Sequence, residues 1–448
     1  MRYIKYFFVF LSLGQSILAT TVDQAKLESL QKQILKLQAE LNALKKSNKA
    51  DAKKTSKQQS AAKKRSFKKQ TNKYHTTPIT TSAIWGVVSD YDGSDLVVSY
   101  SSMNQDLMLL KHRERISYPL NRPSIQLSGA AEAQAGLDRF ANKTNSDINL
   151  SRFELDILAI INPWVSTLAS INYDDSATSN LDRTKYSSLY IKRAFITVGK
   201  LESSKYYATF GQFHMPFGRY STLMLTSPIV SNIGKTTGRG MLLGYYGLNS
   251  NDTGFNGALF LMQNKTSKPN KENKLSQFGA NIAWNKTISA SQNFQIGSGI
   301  IRNIADADQI RQTLNDANAI NKLSSTVPGA NLYSIYSIND WRIGVEGTKA
   351  LRDLIADGTN YNKFSAIHAE VDYSLGVKHF PSNVYLSYDQ SWQGALLNIP
   401  KQSWSLGAYT HFWKNTLQAI EFRHNDAYNS DYSNISKNMA LIQFGVYF

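Results

Sequence analysis

The chain has 448 residues, with 50 Lys+Arg against 33 Asp+Glu, a formal net charge of +17, no cysteine, 24 Tyr, 20 Phe and 7 Trp. Beyond the first twenty positions there is no run of roughly 20 apolar residues, which excludes a polytopic helical membrane protein. The absence of cysteine excludes a disulfide scaffold and a Cys-based zinc module.

The amino terminus carries Arg2 and Lys5, then an apolar stretch from Tyr6 to Leu13 and Ser16-Ile17-Leu18-Ala19, which reads as a secretory signal over 1–19. The alternative, a membrane anchor, has too short an apolar core to span comfortably. Over 20–44, Leu27, Leu30, Ile34, Leu37, Leu41 and Leu44 repeat at alternating spacings of three and four, a heptad seam that predicts a short coiled coil. Three heptads are marginal alone, so the seam implies self-association, or a helix resting on another surface. Residues 45–73 hold twelve Lys/Arg against one acid, Asp51, and read as a self-repelling linker, either a solvated spacer or one that touches cell-wall polymer or anionic headgroups. With the charge concentrated there, the main body is only mildly basic, and no nucleic-acid partner is implied. Residues 74–123 form a pre-barrel segment or a small constriction around the turn Tyr91-Asp92-Gly93-Ser94-Asp95. No glutamate follows that turn at calcium-loop spacing, so it reads as a turn and not a metal site.

From residue 124 the period changes to two. In Arg152-Phe153-Glu154-Leu155-Asp156-Ile157 charged and apolar residues alternate, and the same pattern recurs around 341–346, 367–373 and 420–423. Sixteen strands are predicted, near 124–136, 150–161, 164–175, 187–200, 204–213, 238–247, 254–263, 276–285, 292–302, 331–338, 341–349, 365–374, 383–391, 403–412, 416–425 and 438–448. Their connections alternate strictly between long and short, about 13, 2, 11, 3, 24, 6, 12, 6, 28, 2, 15, 8, 11, 3 and 12 residues, the pattern of an outer-membrane barrel and not of a soluble sandwich. Closure follows because an open sheet edge in hydrocarbon would leave backbone groups unpaired. The fold class is therefore all-β and transmembrane, a sixteen-stranded antiparallel barrel over 124–448 set in outer-membrane lipid, with the preceding region in the periplasm. Ile442, Phe444, Val446 and Phe448 alternate to a terminal phenylalanine and resemble the strand signal read by barrel-assembly machinery. Trp164, Trp284, Trp341, Trp404 and Trp413 fall near strand ends, where an aromatic belt places them.

Parity assigns Arg152, Glu154, Asp156, Arg342, Glu346, His368, Glu370, Asp372, Glu421 and Arg423 to the lumen, where mixed signs set up a transverse field for polar solutes. His368, Glu370 and Asp372 lie too far apart along one strand face to share an ion unaided, so lumen salt bridges are the better reading. No residue pattern implies a cofactor. The sequences Tyr91-Asp-Gly-Ser-Asp-Leu96, Ser101-Ser-Met-Asn-Gln-Asp-Leu107 and Gly211-Gln-Phe-His-Met-Pro-Phe-Gly218, with the signal, coiled coil and barrel, resemble the LbtU-type siderophore porins of the bacterial outer membrane. Gly211 to Gly218 also resembles segments of phosphate- and carbohydrate-type porins. The resemblance implies iron uptake, commonly as a ferric siderophore, through a barrel without a conventional plug; some relatives are linked to ferrous iron. Recognition of the siderophore shell is expected in the loops 214–237 and 303–330, with Phe217, Arg219, Tyr220, Arg239 and Tyr333 as contact candidates. The alternatives are a weakly selective diffusion porin and a structural anchor or adhesin. A hydrolase is disfavoured because His214, His379 and His411 lack a suitably spaced Ser partner.

Overall fold

The computed structural model describes residues 79–81, 110, 123–140, 143–174, 188–249, 252–269, 274–375, 380–413, 415–428 and 437–448. The chain divides into a unit ending at His75 and a unit from Thr76 to Phe448. All described residues belong to the second unit. The signal segment, the heptad seam from Leu27 to Leu44, the linker 45–73 and the turn at 91–95 lie outside them.

Sixteen strands form the wall: β1 (Ser124–Phe140), β2 (Lys143–Asn162), β3 (Val165–Asp174), β4 (Ser188–Gly199), β5 (Tyr206–His214), β6 (Thr237–Tyr246), β7 (Gly254–Gln263) and β8 (Leu275–Ser289). The circuit continues through β9 (Gln292–Ile301), β10 (Gly329–Ile338), β11 (Trp341–Ala350), β12 (Ser365–Leu375), β13 (Ser382–Trp392), β14 (Gln402–Thr410), β15 (Thr416–Asp426) and β16 (Lys437–Tyr447). Each strand pairs antiparallel with the next, and β16 returns to β1 from Asn438↔Arg139 to Tyr447↔Ala130, so the sheet closes. At the seam Phe448 exchanges both backbone hydrogen bonds with Gly129, and Tyr447 donates to Glu132 at 2.8 Å.

The wall is inside out relative to a soluble protein. Along β11, Trp341, Ile343 and Val345 are exposed while Arg342 and Glu346 are buried, and Leu243, Leu259, Ile282, Leu406 and Ile442 also face outward. Only a lipid surround makes such an apolar exterior favourable. No described helix is long and apolar enough to cross a membrane, so the crossing is made by strands. At the rim with short connections the aromatics touch in series: Trp284–Phe294–Tyr336, Trp341–Tyr373, and Phe380–Phe412–Trp413–Phe444. This is the arrangement of an interfacial girdle. Trp404 lies toward the rim with the long connections instead, its ring centre 4.3 Å from that of Tyr388 and tilted 43° to it.

The turns follow from local chemistry. Asn162 Oδ1 accepts the N–H groups of Trp164 and Val165 at 2.8 and 2.9 Å, fixing the β2–β3 turn. Asn339 supplies the left-handed residue of the β10–β11 turn, with φ of 51°. One expectation is overturned: β1 and β2 are joined by residues 141–142 alone, not by a long loop. The backbone ladder runs past the last apolar pair, bends at a bulge near Glu132, and projects a polar hairpin in which Lys143 to Ile148 are exposed. A ladder with a tight turn needs no apolar face, so the hydrophobic pattern ended before the strands did.

Ile79–Thr81 runs parallel to Ile125–Leu127, covering the edge of β1 below Phe448. Leu110 is fully buried in the main apolar cluster. At the opposite rim the connections 215–236, 302–328, 351–364 and 393–401 pack on one another through Ile229, Ile233, Ile304, Leu314, Leu354 and Ile399. They carry two short helices, α1 (Ile229–Gly234) and α2 (Asp308–Asp316), in mutual contact.

Candidate functional site

The β5–β6 connection turns inward and bonds to side chains of the far wall. Its entry is written in Gly211 to Gly218. Gly211 has φ of 135°, and a Cβ there would collide with the backbone of Ala194 and Phe195 on β4. His214 Nδ1 meets Thr237 Oγ1 at 2.7 Å, the Met215 N–H donates to Thr236 O at 2.8 Å, and the Phe217 N–H turns back to Met215 O at 2.9 Å. At Gly218 a Cβ would lie 2.5 Å from the Tyr220 ring and 2.6 Å from Glu346 Oε1, so a side chain there would have to displace one of them. Tyr220 follows with φ of 49°, a left-handed conformation that a bulky residue holds only when its surroundings fix it.

Those surroundings are carboxylates of the far wall. Glu346 on β11 accepts the N–H groups of Arg219 and Tyr220 at 2.8 and 2.6 Å, and the Asn331 amide at 2.8 Å. Glu370 on β12 accepts the Leu223 N–H at 2.9 Å and the Thr222 hydroxyl. Glu421 on β15 accepts the Leu225 N–H and the Tyr385 hydroxyl, both at 2.6 Å, together with the Thr226 hydroxyl. Asp389 on β13 accepts the Ile229 N–H at 3.0 Å, ahead of α1, which packs against β11, β12 and β13. Arg423 donates to Thr226 Oγ1 at 2.6 Å and to Ser227 O at 3.0 Å, and Arg342 reaches Ser221. Each carboxylate thus satisfies loop donors that would otherwise be buried without partners.

Arg342 also pairs with Glu370 at 3.4 Å and with Asp372, and His368 Nδ1 lies 3.0 Å from Asp389. Among the described residues no cluster of His, Asp or Glu is arranged to hold a metal ion. These charges form an ion-pair network beneath the loop.

The near wall is built differently. Arg152 lies 3.6 Å from Glu132 and 3.0 Å from Glu154, and Lys192 lies 3.2 Å from Glu154. Arg193 contacts Glu154, stands 3.5 Å from Asp156 and donates from Nε to Ser170 at 3.1 Å. A bulge between β3 and β4 leaves Lys192 unpaired in register, which turns this consecutive cation pair to the same side. Lys235, leaving α1, lies within electrostatic reach of Arg193 and Arg152. Burial pushes its ammonium down from the ordinary range, Asp308 opposes this, and the two guanidinium groups reinforce it.

The two signs are not equally accessible. The Lys192 and Arg152 side chains keep 27% and 13% exposure, whereas Glu154 keeps none and Asp156 3%. Glu346, Glu370, Asp389 and Glu421 are all buried, and residues 215–236 contain no acid. Of the near-wall side chains Lys192 is the most accessible, Arg152 and Glu132 are comparable at 13% and 11%, and Arg193 is buried.

Of the ten residues assigned to the lumen by parity, nine are buried and Arg152 is half-buried; Arg342, Glu346, Glu370, Glu421 and Arg423 bond the inward loop directly, and His368 and Asp372 pair with Asp389 and Arg342 beneath it. The contact candidates need correction. Phe217 and Tyr220 are fully buried in loop packing, because the loop needs an apolar underside where it crosses the lumen. Tyr333 is not in a loop but on β10, buried with its hydroxyl 3.4 Å from Asn281. Arg239 faces outward from β6. Arg219 alone of the five is half-buried within the loop. Sequence reasoning missed Glu132, Lys192, Arg193, Lys235 and Asp389. Asp389 was legible from the alternation of Tyr385, Ser387 and Asp389 with Val384, Leu386 and Tyr388, while the bulges near Glu132 and Lys192 break parity where it was needed.

No family model matches the chain. It is 27% identical over 414 residues to a UPF0422 protein of Coxiella burnetii, covering 90% of this chain and 86% of that one. To a UPF0422 protein of Legionella pneumophila subsp. pneumophila it is 29% identical over 377 residues, covering 79% and 70% respectively. Among solved structures it is similar to an anion-selective porin from Comamonas acidovorans, with a TM-score of 0.50 and 11% identity over 73% of this chain and 100% of that one. That likeness shows the fold: a closed sixteen-stranded barrel of the kind found in bacterial outer-membrane porins.

Proposed function

We propose that this protein is an outer-membrane uptake channel whose narrowest part lies between the inward β5–β6 loop and the near wall of β2 and β4, and that its cargo is an anionic iron chelate, a ferric siderophore. The observation that carries the channel reading is the acid-free loop, stitched across the lumen by buried carboxylates while Lys192, Arg152 and Lys235 keep access to solvent. Desolvated or half-desolvated cations at a constriction favour anions on contact. The iron reading is supported by the resemblance carried by Gly211 to Gly218 and the segments at 91–96 and 101–107. A second reading, a weakly selective diffusion channel that also passes ferrous iron, is favoured by the carboxylates interleaved with the near-wall cations. Barrel-assembly machinery would insert the chain through its terminal strand, and residues 20–44 would associate copies in the periplasm, with 45–73 touching the cell wall.

Planar-bilayer recordings with a salt gradient test the channel. The expected result is a reversal potential on the anion side that moves toward zero in Lys192→Gln and Lys235→Gln. A cation-selective or non-conducting wild type overturns it. Uptake of labelled ferric siderophore and of ferrous iron in a deletion strain separates the two cargo readings: loss of the first alone supports the siderophore, and loss of neither removes iron from the proposal.

A further inference from the structure

The outer wall carries a feature that transport does not use. Between β4 and β8 the membrane-facing surface is indented by a furrow of about 820 Å³ lined by Ile191, Phe210, Met241 and Leu275, which are exposed, with Ala194, Gly211 and Gly240 contributing almost no side chain. That volume falls in the range of roughly 300–1,000 Å³ typical of sites for bound organic molecules. Arg239, the third residue of β6 counted from the long-loop rim, stands in this furrow and is exposed. Its Nε lies 3.3 Å from Gln212 Oε1, and Gln212 Nε2 donates to the carbonyl oxygens of Ile191 and Lys192 at 2.8 and 3.2 Å. The bulge that turns Lys192 inward thus also frees the carbonyls that hold Gln212, and Gln212 in turn orients the guanidinium. Three strands further round, Arg302 follows β9 at the same rim, exposed, with its guanidinium carbon 5.6 Å from the Phe278 ring centre. Among the described residues neither arginine has a carboxylate at ion-pair distance.

An arginine on the lipid face of a barrel costs about 2–4 kcal/mol at the bilayer midplane and close to nothing at the interface, so these two side chains belong at headgroup level. A planar guanidinium there suits a phosphate bidentately, and the apolar furrow continues the membrane-facing wall directly beneath it. We infer that Arg239, seconded by Arg302, binds the phosphate of a phosphorylated lipid of the outer leaflet, one of whose acyl chains lies in the furrow between β4 and β8. The inference rests on the membrane placement of the barrel and is independent of what the lumen carries.

The test uses the full chain purified in mild detergent from its own membrane, with bound phosphorylated lipid counted by native mass spectrometry and phosphorus assay. The wild type is expected to retain such lipid. Arg239→Gln should lower the retained amount at least tenfold and Arg302→Gln several-fold, and Ala194→Phe, which fills the furrow, should release lipid without removing a charge. A lipid-free wild type, or undiminished retention in Arg239→Gln, overturns the proposal. So does complete displacement of lipid by millimolar inorganic phosphate, which would make the site one for the free anion, or a change of oligomeric state in Arg239→Gln with lipid retained, which would make the face a contact between copies. Single-channel conductance, recorded on the same preparations, is expected to be unchanged by Arg239→Gln. If lipid loss tracks Arg239 in a protein that passes no current, the lipid site stands and the channel reading fails by itself.

Discussion

Replacing Glu346 by alanine removes the acceptor of three donors at once: the Arg219 and Tyr220 N–H groups and the Asn331 amide, at 2.8, 2.6 and 2.8 Å. A hydrogen bond to a charged acceptor contributes about 1.5–3 kcal/mol, and a buried donor left unpaired costs a comparable amount. Asn331 keeps a second partner in Thr348 at 2.8 Å, so the two backbone donors dominate. The inward turn is then weakened by about 3–6 kcal/mol, on the same two-bond arithmetic. Tyr220, with φ of 49°, is held in a conformation that itself costs about 1–3 kcal/mol. Losing Glu346 therefore releases strain as well as removing an anchor, and the loop tip should leave the lumen while α1, held by Asp389, stays. The assay is single-channel conductance in planar bilayers on heat-modifiable, folded protein: Glu346→Ala should conduct more and show frequent stepwise gating, and Glu346→Gln, which keeps one acceptor oxygen, should fall between it and the wild type. Identical conductance and noise in the wild type and Glu346→Ala would refute the claim that this carboxylate holds the constriction.

Four further outcomes are expected, three from the contacts above and one from the heptad spacing. Gly299→Ala places a Cβ against the Phe217 carbonyl, and should expel the loop or reduce the yield of folded barrel, measured by conductance and heat-modifiability; wild-type behaviour on both counts refutes the close approach. Deleting Phe448 removes both backbone bonds to Gly129 and should lower membrane-inserted protein several-fold while export continues, checked by fractionation. Because burial depresses Lys235, its charge is lost below the usual lysine range; anion preference should therefore fall as pH rises toward that range, and Lys235→Arg should lessen that fall, read as reversal potential against pH; an unchanged profile in Lys235→Arg counts against a role for this residue. A peptide spanning residues 20–73 should self-associate and gain helix with concentration, by ultracentrifugation and circular dichroism; a monomeric, helix-poor peptide counts against the coiled coil.

Much of the wall was legible because strands in lipid encode their two faces with opposite chemistry. Arg342 and Glu346 against Trp341, Ile343 and Val345, or Glu421 and Arg423 against Ile420 and Phe422, leave one choice of inside. Connection lengths then set the rims, and Asn162 and Asn339 marked two turns by side-chain chemistry. The β1–β2 hairpin was shortened because its outer half is held by backbone pairing and carries no apolar face to read. The anchoring of the inward loop was invisible for another reason. Its anchors join residues separated by 127 and 196 positions, and neither periodicity nor composition signals that the N–H groups of Arg219 and Leu225 end on Glu346 and Glu421. The motif from Gly211 to Gly218 did stand out in the sequence, but only the geometry shows that its glycines admit a chain past β4 and past a carboxylate.

Counting lumen charges by parity gave a mixed-sign wall, and by count the wall is mixed. What the count misses is coverage. Backbone N–H groups satisfy the hydrogen-bonding demand of Glu346, Glu370 and Glu421 without adding acid to the loop, and in doing so they roof these groups over. Lys192 and Arg152 have no such roof, since their partner Glu154 lies deeper than they do. Two kinds of lumen charge therefore exist, and they separate experimentally. Neutralising a roofed carboxylate changes the position of the loop first, so conductance moves more than selectivity. Neutralising Lys192 or Lys235 leaves the loop anchored and changes only what a solute touches, so selectivity moves more than conductance. If both classes of variant altered selectivity in proportion to charge alone, the inward loop would be a passenger in the lumen and the aperture would have to lie elsewhere along the barrel.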